Sequence, residues 1–277
     1  MEQTLQIGIF GDSISKGIVL DAETHRYSSL KKEITEWISP STALHNFSVM
    51  GSTIQKGLSI ITRHTDQLAS YQNVFLEFGG NDCDFDWSAV SERPQAHHEP
   101  HTPLKQFEAL YTKAIQLIQE KKGNPILLTL PPLEPKRYFQ WISRNLHPDN
   151  ILHWLGGVDT IYRWQEMYNM KVLLLATKAS MFRWFDIRSA FLAQHGYQAL
   201  LCEDWHSSKP QGASVLSIKP SCSSITLVYK IKQTKNPAGQ IVSCSNGIFY
   251  FFPLCAVFRM GNRPIVKPPL VWSLAIL

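Results

Sequence analysis

The chain has 277 residues and a mass of 31.6 kDa, and 44% of its residues are hydrophobic while 18% are charged. This balance is typical of a globular protein and excludes a wholly disordered, collagen-like or coiled-coil chain. It contains no run of about 18 apolar residues, so a membrane-spanning helix is not expected. The opening segment, MEQTLQIGIFGDS, has no basic stretch followed by an apolar one, so we expect a cytoplasmic protein without a secretory signal.

The charge is distributed unevenly along the chain, although the net charge is +5. Eight of the 27 basic residues and none of the 22 acidic ones follow Asp204, which leaves residues 1–204 with 19 basic against 22 acidic residues. The basic residues of the tail are scattered and are not interleaved with stacking aromatics, and its apolar stretch 247–258 is too short to span a bilayer. We therefore expect no nucleic-acid partner and no membrane partner.

Cysteine and histidine patterns argue against metal sites and disulfides. The cysteine count is odd and no CxxC spacing occurs, which predicts free thiols in a reducing compartment. His97, His98 and His101 lie in a polar loop over residues 92–103, but no carboxylate–histidine spacing on a helix supports a metal site there. We expect a mobile lid at this loop, and no cofactor or metal.

The predicted elements alternate between short apolar strands and longer helices. Strands are predicted at 4–10, 44–49, 73–78, 125–130 and 182–187, and helices at 28–38, 103–122, 136–145, 158–178 and 190–198. This alternation is typical of βαβ units. It predicts an α/β fold, a three-layer α/β/α sandwich with a central parallel sheet of about five strands, similar to flavodoxin-like folds.

Small and polar residues follow three of these strands. Gly11-Asp12-Ser13 follows the first strand, Gly51-Ser52-Thr53 the second and Gly79-Gly80-Asn81-Asp82 the third. Taken singly, each is explained by a glycine turn or a helix cap. Because ligands bind at the carboxyl ends of parallel strands, their joint placement favours a functional site.

These motifs resemble the first three sequence blocks of the SGNH (GDSL-type) serine hydrolases. GDS stands at 11–13, a glycine at 51 and GxND at 79–82, and the resemblance covers about residues 4–204. The strand ends that carry the motifs also match the family's arrangement. The resemblance implies a serine hydrolase with an SGNH fold.

In that family's scheme, Ser13 is the nucleophile. The oxyanion hole consists of the backbone N–H groups of Ser13 and Gly51 and the side-chain amide of Asn81. A serine hydroxyl needs a base to remove its proton, and the tetrahedral intermediate needs preorganised donors. We expect Gly51 to permit a close backbone approach. Asp12 is expected to hold its loop by hydrogen bonds, and Asp82 to orient Asn81.

The family's Asp-x-x-His block is altered in this chain. The matching segment, residues 201–212, reads LCEDWHSSKPQG. His206 follows Asp204 by two residues rather than three, whereas Glu203 stands at the family spacing from it. Either carboxylate could orient the imidazole. We take His206 as the best available general base and Asp204 as its partner, with an uninvolved His206 as the alternative.

We hypothesise that a frameshift causes this departure. Asp204 to Gly212, followed by the first base of the Ala213 codon, can be encoded by GAT TGG CAT TCA TCC AAA CCC CAA GGG G. Removal of one T gives GAT GGC ATT CAT CCA AAC CCC AAG GGG, which encodes Asp-Gly-Ile-His-Pro-Asn-Pro-Lys-Gly, the family's block. The true base would then stand where Ser207 is now. We hypothesise that residues 1–204 form the hydrolase domain and that residues 205–277 are a frameshift-derived basic tail, poorly ordered after about residue 212.

The leading functional interpretation is a serine esterase whose partner is a small-molecule acyl ester. The polar and aromatic stretch 83–87 is a candidate wall of the acyl or alcohol pocket, with a packed loop anchor as the alternative. A catalytically impaired or dead SGNH-fold protein that binds carbohydrate or a protein partner is the second interpretation. A phosphate-binding domain is weaker, because no GxxxxGK[ST] pattern is present.

Overall fold

The computed structural model describes residues 4–20, 26–32, 34, 38, 40–178, 184–201, 215–221, 224–230 and 248–249. The chain divides into two compact units. The first consists of residues 1–35 and 40–213, and the second of residues 36–39 and 214–277. The predicted domain boundary at residue 204 stays a prediction.

A five-stranded parallel sheet forms the centre of the first unit. Its strands are β1 (Leu5–Gly11), β4 (Thr42–Asn46), β5 (Asn73–Glu77), β6 (Pro125–Leu128) and β7 (Trp184–Phe185), and they lie in the order β4-β1-β5-β6-β7. All four neighbouring pairs are parallel. The predicted α/β fold with a parallel sheet of about five strands is confirmed.

Helices flank this sheet. Among the described residues they are Ile54–Arg63, Thr65–Leu68, Trp87–Glu92, Leu104–Glu120, Pro135–Ser143, Pro148–Leu155, Asp159–Lys178 and Ile187–Leu192, with a 3₁₀ turn at Tyr197–Leu200. None of the helices in the described part of the chain is long and apolar enough to cross a membrane.

The core explains why these segments form strands and helices. Every residue of β5 is buried, as expected for a central parallel strand covered on both faces. Helix Ile54–Arg63 buries its residues at helical spacing, with Ile54, Leu58 and Ile61 facing inward. A Cβ added at Gly57 would lie 2.2 Å from the ring of Phe78, so glycine lets this helix pack directly on the end of β5.

Several element boundaries differ from the predictions. Tyr27–Ser29 is not the start of a helix, because it forms β3 and pairs antiparallel with β2 (Ile18–Leu20) in a small hairpin. The second sheet strand begins at Thr42 rather than Leu44. The last predicted helix begins at Ile187, where the side chain of Asp186 accepts a hydrogen bond from the Ser189 N–H and caps it.

The second unit contains a three-stranded antiparallel sheet, which the sequence patterns did not predict. Its strands are β8 (Val215–Ser221), β9 (Ser224–Lys230) and β10 (Ile248–Phe249), in the order β10-β9-β8. β8 and β9 pair from Val215↔Lys230 to Ser221↔Ser224. The expectation of poor order after about residue 212 is not tested by these strands and stays a prediction.

Candidate active site

The first loop of the site follows β1 and contains Ser13. The Asp12 carboxylate accepts a hydrogen bond from the Ile14 N–H at 2.8 Å, and the Ser13 carbonyl accepts one from the Ile18 N–H at 2.9 Å. An aspartate that accepts from the backbone two residues on shapes the turn locally. Ser13 is 8% exposed and Asp12 is 1% exposed. The turn therefore holds the candidate nucleophile at the carboxyl end of the sheet, where it is largely buried.

The second loop runs alongside the first. After β4, the Val49 N–H donates to the Gly11 carbonyl at 3.0 Å, which places Gly51 and Ser52 near the Ser13 turn. Gly51 has a φ of +69°, a conformation that favours glycine. A Cβ added there would meet no atom within 4 Å, so within the protein the glycine is explained by its backbone conformation, and its close approach to a substrate stays a prediction.

The third loop is tied to both of the others by the side chain of Asn81. Its Nδ2 donates to Asp12 Oδ2 at 3.0 Å and to the Ser52 carbonyl at 3.3 Å. The Asn81 carbonyl is also 3.1 Å from Nδ1 of His101, in the loop predicted as a lid. The structure thus brings together the neighbourhoods of Ser13, Gly51 and Asn81, the three residues of the expected oxyanion hole.

Asp82 links the third loop to the second. It has no exposed surface, and its two carboxylate oxygens lie 3.0 and 3.2 Å from the Ile54 N–H at the start of helix Ile54–Arg63. Thr53, the residue at the cap position, makes no side-chain hydrogen bond to the helix. Asp82, which is 28 residues further along the chain, instead accepts the hydrogen bond of the Ile54 N–H at the helix N-terminus. Burial raises the pKa of Asp82 to about 6, although hydrogen bonds from Thr102 and Ile54 oppose the shift.

Asp12 lies beside a carboxyl group that the sequence reasoning missed. Glu77, the last residue of β5, has no exposed surface, and its Oε2 accepts from the Asp12 N–H at 3.4 Å. Burial raises the pKa of Asp12 well above its usual value, and the charge and hydrogen bond of Glu77 raise it further. The available signal was a glutamate at the end of the apolar strand NVFLE, directly before Phe78 and the glycines.

The predicted base and its partners are not placed by the structure. Glu203, Asp204 and His206 lie outside the described residues, as does Ser207. The site therefore supplies the nucleophile turn and the candidate oxyanion donors from residues 11–82, while the residues that would activate Ser13 stay predictions.

A small cavity lies beside these loops. Its volume is about 30 Å³, and it is lined by Ile14, Gly80, Cys83, Asp84, Trp87, Leu130, Pro131, Leu133, Tyr138, Ile161, Trp164 and Gln165. Ile14 follows the candidate nucleophile directly, and Gly80 precedes Asn81. Because a single water needs about 10–15 Å³ measured in this way, the cavity has room for two or three groups of that size.

Asp84 organises the wall of this small cavity. Its Oδ1 accepts from Trp87 Nε1 at 2.7 Å and from the Tyr138 hydroxyl at 2.6 Å. Burial, and next the charge of Asp84, raise the pKa of Tyr138 well above its usual value, so this hydroxyl remains a hydrogen-bond donor. The stretch 83–87 therefore lines this cavity while Phe85 and Trp87 pack in the hydrophobic core, and its role as a wall of the acyl or alcohol pocket stays a prediction.

A larger open cleft shares Asp84, Trp87 and Tyr138 with the small cavity. Its volume is about 530 Å³, and its other lining residues are Phe85, Asp86, Ser88, His101, Trp141, Ile142, Arg144 and Leu146. The guanidinium carbon of Arg144 lies 3.8 Å from the centre of the Trp141 ring. In the described part of the chain, no three His, Cys, Asp or Glu side chains are grouped so as to hold a metal ion.

Comparisons with known proteins show similarity in structure but not in sequence. No protein-family profile matches the chain, and no curated protein sequence matches it. Among solved structures, it is similar to a lipase/acylhydrolase from Enterococcus faecalis, with a TM-score of 0.51 and 19% identity over 75% of this chain and 89% of that one.

Two further solved structures have the same fold. One is a catalytic mutant of Axe2, an acetylxylan esterase from Geobacillus stearothermophilus, with a TM-score of 0.52 and 15% identity over 78% of this chain and 92% of that one. The other is LAE5, an alpha/beta hydrolase enzyme from the metagenome of Lake Arreo. Its TM-score is 0.51, and it has 18% identity over 78% of this chain and 93% of that one. The chain therefore shares its α/β fold with these lipase and esterase structures.

Proposed function

We propose that this protein is a GDSL-type serine esterase that hydrolyses the ester of a small acyl group. The observation that carries the proposal is the position of Asn81, whose amide donates to Asp12 beside Ser13 and to Ser52 beside Gly51. One amide thus joins the three loops from which an oxyanion hole would be built. The similar fold of lipase and esterase structures supports the same reaction class.

The reaction begins with attack of Ser13 Oγ on the ester carbonyl carbon. His206, oriented by Asp204 or Glu203, accepts the hydroxyl proton and passes it to the departing alcohol. The negative charge that develops on the carbonyl oxygen is stabilised by the N–H groups of Ser13 and Gly51 and by the Asn81 amide. Water then attacks the acyl-enzyme with the help of the same base, releasing the acid and restoring Ser13.

The hydrogen bonds of Asn81 fit this role in a specific way. Its Nδ2 carries two hydrogens, which lie toward Asp12 and the Ser52 carbonyl. The longer of the two bonds, 3.3 Å to Ser52, is the weaker one and can be exchanged for a bond to the substrate oxygen. The bond to Asp12 would keep the amide in place during that exchange, so that no reorientation is needed as charge develops.

The size of the small cavity supports a short acyl group. Its volume of about 30 Å³ accommodates the methyl group of an acetyl ester and little more. The walls are largely apolar and aromatic, which suits the hydrocarbon part of an acyl group. The open cleft next to it would receive the alcohol part of the ester, which leaves with the proton from the base.

A second candidate function is carbohydrate binding without turnover. The altered spacing between Asp204 and His206 favours it, since loss of a triad member commonly leaves only residual activity. The open cleft is lined by Trp141, Arg144 and the carboxyl groups of Asp84 and Asp86, and aromatic and polar side chains of these kinds contact sugars. This function needs Asn81 only as a structural tie between loops.

Labelling with a fluorophosphonate probe separates the two functions. The full chain and a frame-repaired chain are incubated with the probe, and the modified peptide is identified by mass spectrometry. We expect label on Ser13 in the repaired chain and none in its Ser13→Ala variant, together with hydrolysis of p-nitrophenyl acetate by the repaired chain only. A repaired chain that is folded but unlabelled at Ser13 contradicts the esterase proposal and favours carbohydrate binding.

A further inference from the structure

The turn that follows β6 forms one wall of the small cavity, and two prolines leave this turn short of backbone donors. Leu130 and Pro131 line the cavity, and Pro131 is followed directly by Pro132. Because proline has no N–H, the turn cannot be held by a ladder of backbone hydrogen bonds. Its remaining backbone groups therefore need partners from elsewhere in the chain.

Helix Asp159–Lys178 supplies two of these partners from side-chain amides. The Leu130 N–H donates to Oδ1 of Asn169 at 3.0 Å, and the Pro131 carbonyl accepts from Nε2 of Gln165 at 2.9 Å. Gln165 and Asn169 are both buried, and they lie four residues apart, on one face of the helix. The helix thus binds the turn through this face, and Gln165 also lines the cavity.

The third partner of the turn is a buried guanidinium group. Arg188 is only 5% exposed. Its Nη1 lies 3.3 Å from the Leu130 carbonyl, 3.4 Å from the Pro131 carbonyl and 3.3 Å from Oε1 of Gln165. Its Nη2 lies 2.5 Å from Oε2 of Glu166, in an ion pair that does not have the geometry of a hydrogen bond. One side chain therefore contacts two consecutive carbonyls of the wall and two residues of the helix.

The parallel pairing of β6 with β7 brings Arg188 to this turn. Leu128 lies opposite Phe185, so the residues that follow the two strands emerge at the same edge of the sheet. Thr129 Oγ1 accepts from the Arg188 N–H at 3.0 Å and donates to Asp186 Oδ1 at 3.0 Å. These bonds fix the first turn of the helix that carries Arg188, and with it the origin of the side chain.

A gain in stability does not explain a guanidinium at this position. Removing a charged group from water is costly, and an interior ion pair commonly offsets this cost without exceeding it. The Glu166 side chain is 35% exposed, so solvent also weakens its attraction to Arg188. What an apolar side chain of similar size could not provide is a planar set of donors that reaches several acceptors at once. The arrangement is therefore better explained by the position that it gives to the wall.

We propose that Arg188 is a specificity-determining positioning residue, which holds the Leu130–Pro131 wall against helix Asp159–Lys178 and thereby keeps the small cavity at the size of an acetyl group. The proposal rests on the proposed esterase function, in which this cavity receives the acyl group. Arg188 is not among the residues that line the cavity, so it acts through the wall. A Cβ added at Gly79 would lie 2.8 Å from the Leu130 side chain, so the wall also packs on the loop of Asn81.

Two substitutions test the contacts of the guanidinium, and a third is the matched control. Arg188→Lys keeps a positive charge beside Glu166, but a single nitrogen cannot reach that carboxylate and both carbonyls together. Glu166→Gln removes the ion pair and keeps the shape of a partly exposed side chain. Lys171→Met breaks an ion pair of the same helix with Glu108, at 2.7 Å, which involves no residue of the cavity.

The first measurement is amide hydrogen exchange of the full chain by ¹⁵N NMR, which requires no activity. We expect the Leu130 N–H to exchange about tenfold faster in Arg188→Lys, because the wall opens more often, and at the parent rate in Lys171→Met. Each rate is compared with those of the buried strand β5, which corrects for a general loss of stability. An unchanged Leu130 rate in Arg188→Lys overturns the proposal, and so does an equal increase in Lys171→Met. If Arg188→Lys does not fold, Glu166→Gln takes its place, with an expected increase of about threefold.

The second measurement is the acyl selectivity of the frame-repaired chain. The ratio of kcat/KM for p-nitrophenyl hexanoate to kcat/KM for p-nitrophenyl acetate should rise about tenfold in Arg188→Lys, rise about threefold in Glu166→Gln and stay unchanged in Lys171→Met. A ratio of two substrates is independent of the amount of folded protein, so a merely structural role would not change it. An active parent whose ratio is the same in Arg188→Lys refutes the specificity role alone. A folded repaired parent that does not react at Ser13, with the exchange difference present, refutes the esterase function and leaves the contacts of the wall intact.

Discussion

The side-chain amide of Asn81 donates a 3.0 Å hydrogen bond to the carboxylate of Asp12, 69 positions earlier in the chain. The two residues follow neighbouring parallel strands, β5 and β1, so the sheet itself brings them together. Asp12 in turn accepts from the Ile14 N–H next to Ser13. The candidate nucleophile and the candidate oxyanion donor are therefore held by one carboxylate.

Removal of the Asn81 amide is expected to reduce turnover more than binding. In a frame-repaired chain, Asn81→Ala should lower kcat for p-nitrophenyl acetate by about 10²–10³-fold while KM changes little, because the lost donor acts mainly on charge that develops in the transition state. Steady-state kinetics measures both quantities. Asn150→Ala, which removes an amide that donates to the Ser91 carbonyl away from the site, is the control and should retain activity. An unchanged kcat in Asn81→Ala contradicts the assignment.

The pKa of Asp82 predicts a pH dependence of stability. Burial raises it from the ordinary 3.8 to about 6, so the folded chain binds this proton more tightly than the unfolded chain does. The contribution of Asp82 to the free energy of unfolding is therefore greatest below pH 3.8, decreases as pH rises to about 6, and is constant above that value. The full decrease is of the order of 3 kcal/mol.

Urea unfolding of the parent and of Asp82→Asn between acidic and neutral pH measures this contribution. Because asparagine does not titrate in this range, the difference in the free energy of unfolding between the two proteins should change across the window and level off above it. The titrations of groups that do not interact with Asp82 cancel in this difference. A difference that is independent of pH would falsify the raised pKa.

The small cavity predicts a preference for short acyl chains that a single substitution should relax. Leu133 lines the cavity. Leu133→Ala should therefore increase the ratio of kcat/KM for p-nitrophenyl hexanoate to kcat/KM for p-nitrophenyl acetate by about tenfold. This is the effect of one or two methylenes in an apolar pocket. The control is Leu155→Ala, another leucine buried in the same hydrophobic cluster that does not line the cavity. Equal changes in the two variants would show that selectivity does not arise in this cavity.

The frameshift hypothesis is tested at the level of the gene and of the protein. Nucleotides across codons 204–212 should permit the reading Asp-Gly-Ile-His-Pro after removal of one T. The repaired protein should hydrolyse p-nitrophenyl acetate about 10³-fold faster or more than the present chain, since a restored base removes the proton from Ser13. A nucleotide sequence that forbids this reading, or equal rates for both proteins, refutes the hypothesis.

The sheet and three loops of the site could be predicted from sequence because each carries a local signal. Apolar runs of four to seven residues define β1, β5 and β6, and glycine with a polar residue ends the first two of them. The helix at Ile54–Arg63 was missed although Ile54, Leu58 and Ile61 have helical spacing.

Glu77 could not be recognised from the pattern that predicted its strand. A single glutamate at the end of an apolar run is normally explained by exposure at the edge of the sheet, whereas Glu77 has no exposed surface. Its contact with Asp12 depends on the parallel pairing of β1 and β5, a register that no local sequence signal specifies. The wall formed by Asp84, Trp87 and Tyr138 likewise joins residues more than 50 positions apart.

The indole N–H of Trp87 is bonded to Asp84 at the wall of the small cavity, and the Trp164 ring lines the same space. Indole fluorescence responds to hydrogen bonding and to the polarity of the surroundings. The fluorescence emission of Trp87 and Trp164 should therefore change when a ligand enters the small cavity, whether or not Ser13 reacts with it.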